Sequence, residues 1–281
     1  MTKANIVTTL VTLACIATPC ATSIAEQAAA LDSQAQKALQ RAVANPQRSD
    51  ANRARDKYRH PVDTLAFFGI QPTHTVVEIW PGGGWYTEIL APYLADKGKL
   101  IVASAAGRGS EGINKRLDAD PALFGKVERA NFPTLLGGTG VRPGTADAVL
   151  TFRNVHNWGG GYMHPEKKNY SEEAFREMFS MLKPGGTLGI VDHRLPEDAS
   201  ADREKSSGYI KVSTVRALAE KAGFEYVGAS EVNANPKDTA DWPDGVWTLP
   251  PVLAKGDTDR EKYLAIGESD RMTLKFVKPK R

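Results

Sequence analysis

A short apolar segment that runs into three consecutive glycines constrains the fold of this chain more than any other feature. Residues 75–80 (Thr-Val-Val-Glu-Ile-Trp) are mostly β-branched or apolar, and the Pro-Gly-Gly-Gly segment 81–84 stops the run. This pattern predicts a buried strand that ends in a tight turn. Residues 85–94 then carry apolar side chains at helical spacing and end before a Lys-Gly pair, as helices do. A strand, a glycine turn and a helix in this order form the first half of a βαβ unit.

The same alternation continues along the rest of the chain. Six further segments have the strand pattern and three have the helix pattern. The predicted strands are 99–105, 127–132, 146–152, 187–192, 224–232 and 272–277, and the predicted helices are 113–123 (interrupted near Pro121), 171–182 and 213–222. The prediction is an α/β fold with a mostly parallel sheet and helices on both faces. Ligands of such sheets bind beyond the carboxyl ends of the strands.

The first residues follow the pattern of a removable export signal. Lys3 precedes the mostly apolar run 6–17, and small residues at Ser23 and Ala25 suit a signal peptidase. The run is shorter than the roughly 20 residues that span a bilayer, so we expect no stable membrane span after cleavage near Ala25. The alternative is a buried N-terminal helix. Cleavage would remove both cysteines, Cys15 and Cys20, and with them disulfides, cysteine nucleophiles and thiolate metal sites.

Three segments follow from these observations. Residues 1–25 are the predicted signal peptide, residues 26–60 a helical extension with a solvated surface, and residues 61–281 the α/β domain. An exported protein of this kind is expected to be periplasmic or secreted. Lys and Arg total 36 against 33 for Asp and Glu, and this near balance gives no electrostatic reason for binding nucleic acid or an anionic membrane. The expected partner is a small-molecule substrate.

The glycine turn is compatible with a dinucleotide only in part. If Gly82 and Gly84 are the first two glycines of the dinucleotide fingerprint, Thr87 stands where the third belongs. The fingerprint also requires an acidic residue about 20 positions further on, and the chain has Val102, Ala103 and Ser104 there. A nicotinamide-dependent oxidoreductase is therefore disfavoured.

Three motifs resemble those of the class I S-adenosylmethionine-dependent methyltransferases. Residues 77–87 (Val-Glu-Ile-Trp-Pro-Gly-Gly-Gly-Trp-Tyr-Thr) resemble motif I, residues 146–158 resemble the fourth-strand motif, and residues 182–188 (Leu-Lys-Pro-Gly-Gly-Thr-Leu) are similar to the motif that leads into the fifth strand. Together they cover roughly residues 60–232. Segments 53–87 and 267–279 are similar to an exported subgroup of predicted methyltransferases. The resemblance implies a Rossmann-like, seven-stranded methyltransferase sheet whose last strand is antiparallel.

The resemblance also implies a cofactor, S-adenosyl-L-methionine, and the residues of motif I that would hold it. Glu78 would act on the methionine end indirectly, through the loop. The turn formed by Pro81, Gly82, Gly83 and Gly84 would let the backbone approach the ligand closely. The implied reaction is methyl transfer to an unidentified small-molecule or envelope acceptor.

Four more residues are implied as cofactor contacts on later strands. Asn131 would meet the adenine amino group, Phe132 would lie beside the ring, and Arg153 would end the fourth strand near the cofactor. Asn131 also fits an ordinary loop asparagine, and Arg153 a surface ion pair. The second strand ends in Ser104, where the family has an acid that accepts hydrogen bonds from both ribose hydroxyls. The loss of that acid corresponds to about 1–2 kcal/mol of cofactor affinity unless Glu111 substitutes for it.

Two further observations keep a second function open. The absence of the acid at the end of the second strand is expected for a non-catalytic ligand-binding protein on a methyltransferase fold. Export would also separate an enzyme from S-adenosylmethionine, which is made in the cytoplasm. This alternative therefore stands beside the enzyme hypothesis.

Two histidines are the candidate catalytic residues. His156 and His193 follow predicted strands at the binding edge, and a histidine near neutral pH can serve as a general base. Trp158 and the following glycines are typical of either an aromatic lid or a surface loop. The sequence has no paired histidines at helical spacing and no carboxylate cluster, so no metal site is expected.

Overall fold

The computed structural model describes Met1 and residues 31–280. The predicted signal peptide, Met1 apart, lies outside the described residues. Within the described part of the chain, no helix combines the length and the apolar character needed to cross a membrane.

Eight strands form one mixed sheet in the described residues. Seven of them follow the order β3-β2-β1-β4-β5-β8-β7, and β6 pairs with β5 outside this path. All pairs from β3 to β5 are parallel, whereas β8 is antiparallel to both β5 and β7. The strands are β1 Thr75–Ile79, β2 Lys99–Ser104, β3 Glu128–Asn131, β4 Ala146–Phe152, β5 Leu182–Leu195, β6 Ile210–Lys211, β7 Glu225–Ser230 and β8 Arg271–Val277.

The helices flank the sheet on both faces. Those that connect parallel strands follow the predicted alternation, and α8 and α11 were not predicted from the sequence. The helices are α1 Ser33–Val43, α2 Asp50–Arg53, α3 Asp56–Arg59, α4 Pro61–Phe68, α5 Thr87–Leu94, α6 Arg108–Ala119, α7 Pro121–Phe124, α8 Val155–Gly159, α9 Ser171–Met181, α10 Val212–Lys221 and α11 Arg260–Ile266.

The predicted fold class is confirmed. The sheet is mostly parallel, its last strand is antiparallel, and helices cover both faces. The addition to the predicted seven strands is β6, whose two residues pair with the end of β5 through Arg194 and Ile210. Two residues are too few to produce a periodic pattern, so this strand is not predictable from the sequence.

Alternating side chains of the buried strands supply two hydrophobic cores. Val77 and Ile79 of β1 pack on one face, in the core formed with α9 and α10. Val76 points to the opposite face and packs in the core formed with α1, α4, α5 and α6. Burial of both faces explains why the central strands have continuous apolar runs instead of an alternating pattern.

The N-terminal helices belong to this packing, and the prediction that they are solvated is wrong. Helix α1 buries Leu39, which is 0% exposed, in the core of the α5 face. Arg48 follows it, fully buried, with a two-pronged ion pair to Asp56 at 2.8 Å. The many charged residues of this segment predicted solvent exposure. A paired arginine can nevertheless be buried where a lone one cannot. The result is that α3 lies at the carboxyl edge of the sheet.

Candidate functional site

Two adjoining cavities lie beyond the carboxyl ends of the central strands. The histidine cavity, of about 280 Å³, is lined by residues that include Glu78, Arg153, His156 and His193. The glycine cleft, of about 770 Å³, is lined by residues that include Ser104, Arg108 and Tyr162. Four residues line both: Trp80, Gly82, Asn154 and Asn157. The arrangement provides two neighbouring binding spaces at the edge where such sheets bind ligands.

The glycine turn separates into an open half and a packed half. Gly82 has φ 57°, and a Cβ atom built on it would meet no atom within 4 Å. Gly82 also lines both cavities, and Pro81 and Gly83 line the histidine cavity. Gly84 has φ 78°, but its Cβ would meet Arg116 at 3.0 Å. Gly82 therefore leaves room for a ligand, whereas Gly84 leaves room for α6.

Glu78 lies buried at the carboxyl end of β1, beneath this turn. Its side chain is 1% exposed and accepts a hydrogen bond from Thr87 Oγ1 at 2.7 Å. Burial raises the pKa of Glu78 to about 7, although the Thr87 hydrogen bond acts in the opposite direction. Glu78 thus links β1 to the start of α5 and carries a proton over part of the neutral range.

Ser104, at the end of β2, is the predicted ribose contact and lines the glycine cleft. It is 4% exposed, and Ala105 and Arg108 follow it along the cleft wall. Glu111, which was considered as a substitute acid, is exposed and does not line either cavity of the described residues.

The two predicted adenine contacts do not line either cavity in the described part of the chain. Asn131 accepts a hydrogen bond from the Thr139 amide at 3.0 Å within its own loop. Phe132 is fully buried beside Trp158. The indole of Trp80 lies across this region, and its Nε1 donates to the carbonyl of Phe132 at 2.8 Å. Trp80, which lines both cavities, is therefore the residue of the cavity wall that contacts Phe132.

Trp80 is held in a conformation that favours glycine. Its φ is 48°, in the left-handed region where an aromatic residue is rare. Its amide donates to Ala103 at 2.8 Å, and its carbonyl accepts a hydrogen bond from Asn154 Nδ2 at 3.3 Å. Asn154 also bonds the carbonyl of Ile79 at 3.1 Å, so it joins the ends of β4 and β1. The surrounding contacts fix Trp80 between the two cavities.

His156 and Asp192 form a buried dyad at the ends of β4 and β5. His156 Nδ1 lies 2.8 Å from Asp192 Oδ1. Asp192 Oδ1 also accepts from the His193 amide at 2.8 Å, and Oδ2 accepts from the amides of Val155 and His156 at 2.8 and 3.3 Å. Since both carboxylate oxygens face N–H donors, the imidazole proton belongs on Nδ1. His156 Nε2 then keeps its lone pair and bonds no described residue.

His193 lies beside the dyad but is differently placed. Its ring centroid is 5.3 Å from that of His156, and its Nδ1 is hydrogen-bonded to Ser269 Oγ. Burial, followed by the nearby His156 and three arginines, lowers the pKa of His193 well below its ordinary value. His193 is therefore a neutral imidazole near pH 7.

Four arginines line the histidine cavity: Arg55, Arg59, Arg153 and Arg271. Glu268 is the shared partner of three of them, with Oε1 at 2.5 Å from Arg55 Nε and Oε2 at 3.2 Å from Arg59 Nε. It also pairs with Arg271. Burial alone would raise the pKa of Glu268, but the three arginines lower it to about 2. Glu268 is therefore a permanent anion within a group of cations.

The residues His156, Asp192 and His193 are also close enough to hold a metal ion, with one ligand atom of each within 4.8 Å of the others. Sequence reasoning did not anticipate this grouping. Both oxygens of Asp192 are already occupied by N–H donors, and the adjoining arginines disfavour a further cation. The donor set therefore suits a general-base dyad better than a metal centre.

Trp158, the first residue of the predicted aromatic lid, is part of the core. Trp158 lies in α8, is fully buried, and packs against Phe132, Phe175 and Trp80. Its alternative assignment to a surface loop is wrong for the same reason. Tyr162 is 55% exposed and lines the glycine cleft, so only the residues after Trp158 border the site.

Sequence reasoning missed most of the charged residues of the histidine cavity. Arg55 and Arg59 lie in the N-terminal helices, and Glu268 and Arg271 precede or begin the last strand. No motif joins them, because they meet only through the packing of α3 against the end of β8. Asp192 was the accessible signal: it directly precedes His193 at the end of a predicted strand.

Solved structures of similar fold include S-adenosylmethionine-dependent methyltransferases, whereas no family model and no curated protein matches the sequence. A SAM-dependent methyltransferase from Aquifex aeolicus aligns with a TM-score of 0.52 and 16% identity over 80% of this chain and 92% of that chain. Phosphoethanolamine N-methyltransferase 2 of Haemonchus contortus, in complex with S-adenosyl-L-methionine, aligns with a TM-score of 0.52 and 15% identity over 79% of this chain and 53% of that chain.

A third structure of similar fold has a different name. The [4+2]-cyclase SpnF aligns with a TM-score of 0.53 and 14% identity over 86% of this chain and 92% of that chain. At such identities the likeness concerns the architecture, and one architecture supports several chemistries. The strand order, the antiparallel last strand and these similarities together give the chain the Rossmann-like fold of the S-adenosylmethionine-dependent methyltransferases.

Proposed function

We propose that the protein transfers a methyl group from S-adenosylmethionine to a small-molecule or envelope acceptor, and that it does so outside the cytoplasm. The fold supports methyl transfer in general, and the acceptor is the new part of the proposal. The observation that carries it is the position of the His156–Asp192 dyad in a cavity that adjoins the glycine cleft. The glycine cleft suits the cofactor, and the histidine cavity suits the acceptor.

Two parts of the glycine cleft suit this cofactor: the glycine turn and the end of β2, where the ribose is expected. Gly82 leaves open space at a positive φ, and the cleft volume lies within the range of small-molecule sites. Gly82, Ser104 and Asn154 are the residues that we expect to hold the cofactor. Asn131 and Phe132 are not, because neither residue lines the cleft.

The residues of the dyad divide the work of proton removal. When bound, S-adenosylmethionine supplies an electrophilic methyl group on a sulfonium centre. His156 Nε2 accepts a proton from an acceptor group that must lose one, and Nδ1–H remains bonded to Asp192 Oδ1. The carboxylate orients the ring and stabilises the imidazolium that results. Deep burial of Asp192, which is 0% exposed, keeps this orientation fixed.

A non-catalytic ligand-binding protein is the second candidate, favoured by Ser104 and Trp80. Ser104 carries no charge for the ribose, and Trp80 bonds the carbonyl of Phe132, the residue expected beside the adenine ring. A protein that had lost the cofactor would still keep the histidine cavity. In that case the cavity alone would bind a ligand.

Calorimetric titration with S-adenosylmethionine, S-adenosylhomocysteine and NAD separates the candidates. Binding of the first two without NAD supports the methyltransferase proposal. Failure of both to bind a folded protein supports the non-catalytic candidate, and binding of NAD alone contradicts both.

A further inference from the structure

The arginines of the histidine cavity outnumber the anions that they contact. Four guanidinium groups line the cavity, against the two carboxylates of Glu268 and Glu78. Glu78 is bonded to Thr87 beneath the glycine turn and pairs with no arginine of the described residues. Glu268 is thus the one carboxylate of the cavity lining that these arginines contact in the described part of the chain.

Three of the arginines have hydrogen-bonding groups that bond no described residue, and the first of these groups is Nη2 of Arg55. Arg59 is 4% exposed, and its Nη2 has no acceptor among the described residues. The side chain of Arg153 forms no hydrogen bond and no ion pair with any described residue, although its backbone is fixed by a bond from its amide to Val191 at 2.7 Å. Buried polar groups are normally satisfied, so the unpaired Nη2 atoms of Arg55 and Arg59 indicate a missing acceptor. Half-buried Arg153 adds a guanidinium group without a partner among the described residues.

Burial and the neighbouring positive charges together lower the pKa values of Arg59 and Arg153. Burial, followed by the charge of Arg153, lowers the pKa of Arg59. Burial, followed by the charge of Arg271, lowers the pKa of Arg153. Guanidinium groups stay protonated in proteins near neutral pH, so the lowered pKa values represent electrostatic strain. An anion bound among the arginines would relieve it.

One arginine of the cavity, Arg271, lies far from the glycine turn in the sheet order. Arg271 begins β8, pairs in register with His193 of β5, and lies three strands from β1 in the sheet order. At about 4.8 Å per strand, three strands correspond to about 14 Å. A ligand in the glycine cleft would therefore lie at the opposite side of His156 from Arg271.

We propose that Arg59, Arg153 and Arg271 bind a carboxylate or phosphate group of the methyl acceptor and thereby position that acceptor beside His156. The identification of the ligand as a methyl acceptor rests on the proposed function, but the anion site itself does not depend on it. Arginine suits both groups, because its planar donors match two oxygens at once. The substrate class is accordingly an anionic small molecule.

The experiment measures anion binding and cofactor binding separately, on the full chain. Inorganic phosphate and succinate are titrated while thermal unfolding is monitored, since a ligand of the folded state raises Tm. Affinity for S-adenosylhomocysteine is measured by calorimetry. The variants are Arg271→Gln and Arg153→Gln, and Arg176→Gln is the matched control. Arg176 is 59% exposed and pairs with Glu173 on α9, outside both cavities.

Phosphate or succinate should raise the Tm of the parent protein. Each cavity variant should weaken the binding of that anion about tenfold or more. S-adenosylhomocysteine affinity should stay within threefold in Arg271→Gln, and Arg176→Gln should resemble the parent in both measurements. Arg153→Gln breaks no side-chain bond to a described residue and relieves repulsion, so it should fold with a Tm at or above that of the parent. It therefore tests the proposal even if Arg271→Gln fails to fold.

Three results would overturn the proposal or its parts. If neither anion stabilises the parent, or if Arg153→Gln binds them equally well, the cluster is not an anion site. Arg271→Gln and Arg153→Gln could instead weaken the binding of S-adenosylhomocysteine but not of 5′-methylthioadenosine, which lacks the amino-acid part. In that case the arginines bind the cofactor carboxylate. If anions bind in an arginine-dependent way but S-adenosylhomocysteine does not bind, the anion site stands and the methyltransferase proposal fails.

Discussion

His156 Nδ1 and Asp192 Oδ1 lie 2.8 Å apart, although 36 positions separate the two residues along the chain. Strands β4 and β5 are hydrogen-bonded neighbours; Asp192 lies near the carboxyl end of β5, and His156 lies in α8, which follows β4. The pairing leaves Nε2 as the nitrogen of His156 that is available to a ligand. This relationship distinguishes His156 from His193, whose Nδ1 is bonded to Ser269.

The first prediction concerns this dyad. His156→Ala should lower turnover about 10²-fold or more with cofactor affinity nearly unchanged, because it removes a proton acceptor but no cofactor contact. Asp192→Asn should also lower turnover, since it disturbs the tautomer of His156. The measurement is release of S-adenosylhomocysteine with anionic acceptors.

His74→Ala is the control for the dyad variants. His74 precedes β1 at the opposite end of the sheet and faces the amide of Gln71. Parental turnover in His156→Ala would exclude His156 from the chemistry and make His193 the next residue to test.

The second prediction compares two glycines that share a positive φ. Gly82→Ala and Gly84→Ala should each destabilise the fold by about 1–2 kcal/mol through backbone strain. Only Gly82→Ala should also weaken the binding of S-adenosylhomocysteine, by about tenfold or more, because only its methyl group enters the cleft. Equal affinities in the two folded variants, measured by calorimetry, would locate the cofactor elsewhere.

The third prediction is a gain of affinity at Ser104. Ser104→Asp places a carboxylate at the end of β2, on the wall of the glycine cleft. A charged acceptor forms stronger hydrogen bonds with hydroxyls than a serine does, so affinity for S-adenosylhomocysteine should rise by about tenfold. Ser110→Asp, on the exposed side of α6 near its start, controls for the added charge. An unchanged affinity in Ser104→Asp would contradict a ribose contact at Ser104.

The fourth prediction concerns the pH dependence of stability. The pKa of Glu78 is raised by burial from 4.5 to about 7, so between these values the folded state binds more protons than the unfolded state. The free energy of unfolding should therefore fall as pH rises from 4.5 to 7, by about 3 kcal/mol from this group alone. Glu78→Gln, which can still accept the bond from Thr87, should lose this decline.

Denaturant unfolding of the parent and of Glu78→Gln at several pH values makes the comparison. Glu173→Gln removes a half-exposed carboxylate and should leave the decline in place. A decline of the same size in Glu78→Gln would mean that another group causes it.

The fifth prediction concerns the N-terminus, which lies outside the described residues apart from Met1. Lys3, the short apolar run and the small residues before position 26 predict that about 25 residues are removed on export. Mass spectrometry of the protein from its native host should show a chain that begins near Glu26. A chain that begins at Met1 or Thr2 would remove the argument for export.

The sequence by itself determined the framework of the protein. The runs that became β1, β4 and β8 were predicted within a residue or two of their ends, because strand and helix periodicity are local properties of the chain. The glycine turn and the two candidate histidines were identified for the same reason: they directly follow predicted strands. The antiparallel last strand came from the resemblance, and the sheet confirms it.

Only the tertiary structure decided how the site is composed. Arg59 and Glu268 are 209 positions apart, and no periodic pattern connects them. The indole of Trp80 bonds the carbonyl of Phe132, 52 positions away, and a motif alignment cannot express such a contact. Contacts of this kind depend on which elements pack together at the carboxyl edge. Periodicity predicts the elements, whereas packing between distant elements determines which charges and aromatic rings meet in the cavities.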